Sequence, residues 1–183
     1  MILRAVLAVL LATALLGVAL PALADARTTA TTDGLDATAT AIDRTAAALA
    51  TDAAAVADPE LAARTHVTVR IPTGLAAAPV ERVALGDPTV LLDAEREANG
   101  DRDPDDDSGA NESATHPTSR EAAVVYRLRD GPTRVVTLDA APVPVVPAGD
   151  GPVELRPAGE TRLQLRLVRV NDGDPTVCVS RVG

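Results

Sequence analysis

Asp101, Asp103 and Asp105, with Glu112 eleven residues after the first, have the spacing of oxygen ligands around a Ca²⁺ ion. Such a loop needs Gly at its sixth position for the sharp turn, and Asp106 stands there instead. The carboxylates therefore read as a solvated acidic stretch, and no metal site is expected. Asn111-Glu-Ser113 is a sequon, which makes Asn111 a candidate glycan acceptor in an exposed segment. His66 falls on the polar side of an alternating stretch and His116 precedes Pro117, neither with a metal-ligating partner at the usual spacings. Cys178 is the single cysteine, so no intramolecular disulfide can form, and its Val neighbours suit a buried, inert thiol. Without any Lys there is no phosphate-loop lysine, and no G-x-S-x-G elbow occurs. The inventory predicts a non-enzyme with no catalytic residue, no cofactor and no small-molecule ligand.

The elements around these residues are more informative. Arg4 is followed by twenty uncharged residues, Ala5 to Ala24, and then by Asp25. At about 1.5 Å per residue this run spans about 30 Å as a helix, the thickness of the hydrocarbon core of a bilayer. With the basic residue on the near side, Arg4 is expected to stay cytoplasmic and the remainder to be exported. Residues 1–24 thus form a hydrophobic leader. It is either a retained membrane anchor or a signal peptide cleaved after Ala22-Leu23-Ala24.

Beyond it, residues 25–62 read as an amphipathic helix ending near Ala57, before Asp58-Pro59. Leu35, Ile42, Leu49 and Val56 recur every seven residues, and Ala39, Ala46 and Ala53 follow the first three by four. These seven form a packing seam whose alanines admit a close neighbour, either the chain's own sheet or a partner helix.

From Thr65 the apolar period becomes two, and residues 63–183 read as an antiparallel sheet or small sandwich. Val67, Val69 and Ile71 alternate with polar residues; Val80 to Leu85 is a second strand, and Thr89 to Leu92 a third. Ala123–Arg129 and Arg134–Leu138 flank the turn residues Asp130-Gly-Pro-Thr133. The prolines at 142, 144 and 147 suit an edge or loop. Along Thr161–Val170, Leu163, Leu165 and Leu167 are expected inward, with Arg162, Gln164 and Arg166 outward. Asn171–Asp174 turns the chain into a last strand, Thr176–Val182. Residues 93–119 are dense in acids and poor in large apolar residues, which predicts an acidic disordered loop. The fold class expected is α+β.

Seventeen basic residues, all Arg, face twenty-six acids for a net charge of −9, and Tyr126 is the only aromatic. No basic face with interleaved aromatics is present, so nucleic acid is not an expected partner. A carboxylate surplus costs little where salt screens it, and the Lys-free composition resembles that of salt-loving archaea.

An apolar helix running past a proline into an amphipathic helix and then a sheet is similar to the layout of type IV pilin-like proteins. Leu3-Arg-Ala-Val-Leu-Ala-Val, Leu20-Pro-Ala-Leu-Ala-Asp-Ala-Arg27, Val67-Thr-Val-Arg-Ile-Pro72 and Glu81-Arg-Val-Ala-Leu85 resemble an uncharacterised haloarchaeal membrane protein family. That family is associated with type IV pilus or secretion gene clusters. The resemblance implies a membrane-anchored, extracytoplasmic accessory protein whose partners are the membrane and other proteins of a secretion or pilus system. Pilins carry a Glu early in the apolar stretch, and Val6–Leu15 has no acid, which points to an accessory role rather than a filament subunit. The alternative is a cleaved, secreted β-sandwich acting as a binding or envelope module.

Overall fold

A single α-helix, α1 (Ile2–Asp52), carries the apolar leader and the seam residues as one rod, with Pro21 inside it. The structure, a computed structural model, describes residues 2–99, 122–129, 131–139, 141–170 and 173–182. Threonine is a weak helix former because its hydroxyl competes for backbone groups. Here the hydroxyls of Thr28, Thr31 and Thr32 each donate to the carbonyl four residues back, so the polar groups are satisfied within the helix.

Among the described residues eight strands follow: β1 (Ala63–Ile71), β2 (Val80–Gly86), β3 (Ala123–Leu128), β4 (Thr133–Thr137), β5 (Val145–Pro147), β6 (Val153–Leu155), β7 (Gly159–Val170) and β8 (Asp174–Val182). They form two four-stranded sheets, β1-β7-β8-β5 and β4-β3-β2-β6. All pairings between these strands are antiparallel except β5 with β8. The chain is therefore α+β, a long N-terminal helix followed by two sheets. Along β7 Leu163, Leu165 and Leu167 are buried while Arg162 is exposed and Gln164 and Arg166 are half-buried. The Pro-rich passage supplies the edge strand β5. Gly173 takes φ +105° in the turn into β8, a backbone state that side chains disfavour.

One core joins the two sheets and the helix. Ile71 and Leu165 from the first sheet and Leu85 and Tyr126 from the second cluster with Leu35, Ala39, Ile42 and Ala46. The sandwich is open along β1 and β4, its outer strands, and α1 packs against both. On the opposite side β5 and β6 approach β2 and β8 and close it.

Three expectations are corrected. The helix ends at Asp52 rather than near Ala57, because the chain beyond it joins the first sheet. Val56 bridges Val168, its carbonyl accepts the Arg169 N–H at 2.9 Å, and the Ala55 carbonyl accepts from the Arg169 side chain. Residues 89–92 are not a strand, and residues 93–99 of the expected disordered loop are ordered. Both belong to a second helix, α2 (Pro88–Asn99). Asp87 caps it by accepting the Thr89 N–H at 2.8 Å, with Pro88 at the first helical position.

The capped helix lies on the outer face of the second sheet, where Leu91 packs with Ala84, Ala123 and Val125. Glu95 is buried there at 5 % exposure, between Arg82 at 3.1 Å and Arg127 at 3.0 Å. The Arg127 contact is an ion pair without the alignment of a hydrogen bond.

Candidate functional site

The two halves of α1 live in different surroundings. In the N-terminal half Leu3, Leu7, Leu10, Leu11, Leu15 and Leu20 are all exposed, Leu3 to 83 %. This half is long and apolar enough to cross a membrane, and none of its apolar window is buried against the rest of the chain. In the C-terminal half Leu35, Ala39, Ile42 and Ala46 are buried to within 1 %. Leu49 and Ala53 pack partly buried against the same core, and Val56 is half-buried at its sheet bridge. The first five seam residues lie on the helix itself; Ala53 and Val56 lie beyond its end. The seam is thus packed against the chain's own sheets.

Polar contacts fix the depth at which the helix enters. The buried Thr31 hydroxyl accepts the Ala78 N–H at 2.8 Å, Tyr126 donates to Asp36 at 3.2 Å, and Asp43 accepts the Ala141 N–H at 3.3 Å. At Gly34 a Cβ would lie 2.7 Å from the Pro72 ring, so this crossing requires glycine. Ten residues separate the end of α1 from the start of β1, which finishes beside Gly34, so β1 runs back along the helix. The loop 72–79 therefore sits at the end of the sandwich from which the apolar half emerges.

The described ones among the remaining sequence candidates, His66 and Cys178, do not converge. His66 lies on the exposed face of β1 with its Nε2 3.1 Å from the Gln164 amide. Cys178 is half-buried in β8; burial pushes its thiol up, against a weaker opposing pull from Arg166, so little reactive thiolate forms. Among the described residues no group of three or more His, Cys, Asp and Glu side chains could hold a metal ion. Asn111, His116 and the Asp101–Glu112 set lie outside the described residues.

The family model of a domain of unknown function, DUF7311, matches residues 2–182. The chain belongs to this family. No curated protein and no solved structure matches it. The DUF7311 match runs through the exposed apolar half of α1 as well as the sandwich, so both are parts of one shared unit.

Tyr126 gives this DUF7311 chain a pH signature. Burial, then the neighbouring Asp36, raises its phenol above the ordinary value of 10.0. A folded-state value above the unfolded one means the folded chain holds its proton longer. Its contribution is therefore complete below about pH 10 and is lost as pH rises through the folded value. Tyr126→Phe should cost about 1 kcal/mol at neutral pH through the lost hydrogen bond. It should also remove part of the stability loss above pH 10, which urea titrations at pH 7 and at alkaline pH would resolve.

Proposed function

We propose that this chain is a non-enzymatic, membrane-anchored, extracytoplasmic accessory protein of pilin-like layout. In this reading the N-terminal half of α1 stays in the bilayer as a permanent anchor and holds the sandwich at the outer surface. One observation carries it: a single continuous helix is bare and apolar over one half and built into the domain core over the other. A bare apolar face of that length is costly in water and favourable in lipid. Arg4 on the near side supports an orientation with the sandwich outside. The Lys-free acidic composition and the family resemblance support a haloarchaeal secretion or surface-filament system as the setting. The raised Cys178 thiol supports a role without catalysis.

The protein should remain in host membranes after an alkaline carbonate wash, which strips peripheral proteins. Release into the wash would favour the secreted β-sandwich instead.

A further inference from the structure

The end of the sandwich beside the emerging helix carries apolar and cationic surface that no contact among the described residues absorbs. In the loop 72–79 Gly74 turns the chain at φ +93°, and Leu75 beyond it is 89 % exposed. Ala76 next to it is also exposed, as are Pro157 and Ala158, which share a pocket with this loop. Close by, Arg156, Arg162 and Arg181 line a cleft of about 400 Å³ together with Thr68, Glu160 and Thr161.

Among the described residues, the one carboxylate lining the cleft is already engaged. Glu160 is paired with Arg70. Among the described residues Arg181 reaches only the Glu154 carbonyl, at 3.5 Å. Arg156 and Arg162 have no side-chain partner among the described residues, in a chain with twenty-six acids and seventeen arginines. The buried Thr161 hydroxyl accepts the Arg156 N–H at 3.1 Å and so holds that residue at the rim. Three like charges around one cleft repel each other, and an anion between them would relieve the repulsion.

Place in the fold says which anion. β7 starts and β8 ends at the same end as the loop 72–79, since Ile71 pairs with Gly159 and Arg162 with Val182. From Ala24, the last residue of the uncharged run, to Thr31, where the helix enters the domain, is about 10 Å along the helix. The polar headgroup layer occupies about 5–8 Å on each face of a bilayer, within reach of long arginine side chains.

We propose that the Arg156–Arg162–Arg181 cleft binds the phosphate of an anionic lipid headgroup, with Leu75 and Ala76 dipping into the interface beside it. This rests on the retained anchor described above. Guanidinium forks match phosphate oxygens in pairs, and the negative leaflet surface adds attraction for each arginine. A free phosphate ion would satisfy the cleft but would give the exposed Leu75 nothing to contact.

The test uses the full chain, its N-terminus verified by mass, in nanodiscs of equimolar phosphatidylglycerol and phosphatidylcholine. Native mass spectrometry of the ejected protein counts which lipid stays bound. Phosphatidylglycerol should exceed phosphatidylcholine by at least about fivefold, the factor one arginine supplies at an anionic surface. Arg156→Gln/Arg162→Gln/Arg181→Gln should bring the ratio to about one, with circular dichroism and the single variants checking the fold. Arg44→Gln/Arg64→Gln/Arg166→Gln, charge-matched and away from the helix exit, should leave it unchanged.

No preference in the wild type, or equal loss in both triple variants, overturns the proposal. So does binding of inorganic phosphate, added at millimolar concentration to phosphatidylcholine discs, without any lipid preference. A chain that does not stay in the discs contradicts the anchor itself, whereas a retained chain indifferent to phosphatidylglycerol contradicts only the cleft.

Discussion

A chain beginning at residue 63 should not fold cooperatively at any salt concentration, whereas residues 25–183 should. The sequence pattern places a boundary at 62 and predicts a β-domain needing only salt to screen its acids. Packing places the boundary elsewhere. Removing α1 takes Leu35, Ala39, Ile42 and Ala46 out of the core and uncovers their partners along β1 and β4. Burying one Leu or Ile is worth about 1.5–3 kcal/mol, and whole domains are stable by about 5–15 kcal/mol. The lost residues and the opened sheets together exceed that margin. Salt weakens repulsion between carboxylates and cannot restore an absent wall of the core. Circular dichroism during urea titration, in low and molar salt, separates the two cases. A cooperative transition for 63–183 would show that the helix is dispensable to the sandwich.

Ile42→Ala should destabilise the full chain by about 2–5 kcal/mol, the range for truncating a large core side chain. Ile42 is fully buried between the sheets, and its neighbours along the helix, Ala39 and Ala46, are too small to fill the space. Thr40→Ala on the exposed face removes only a hydroxyl bonded to the Asp36 carbonyl, and should stay within about 0.5 kcal/mol. Urea midpoints for the two variants in one detergent give the comparison. Similar midpoints would mean that the heptad spacing reflects Ala-rich composition and not packing.

Much of this architecture was legible because its signals were periodic. The seven-residue spacing from Leu35 marked the face that the core covers, and the alternation of Leu163, Leu165 and Leu167 set the orientation of β7. What covers the seam was not legible, since small residues admit a sheet and a second helix equally well. The same ambiguity hid α2. Thr89–Leu92 is short and apolar, and Glu95 looks like surface until Arg82 on the preceding strand and Arg127 on β3 are brought to it. Asp87-Pro88-Thr89 was the local signal, a capping residue before a proline at the first helical position. Asp58-Pro59 is the local stop signal for α1, but the Val56 bridge to Val168 takes the chain out of the helix earlier. The cleft at the helix exit had no sequence signature at all. Arg156, Arg162 and Arg181 come together only through the pairing of β7 with β8 and the return of β6.

The mass of the mature protein's N-terminal peptide, isolated from host membranes, decides whether the anchor is retained. A retained anchor leaves a chain that still contains Ala5–Ala24, so the peptide should begin before Asp25. A mature chain beginning at Asp25 would contradict it, leaving a sandwich with a short helix and no hold on the membrane.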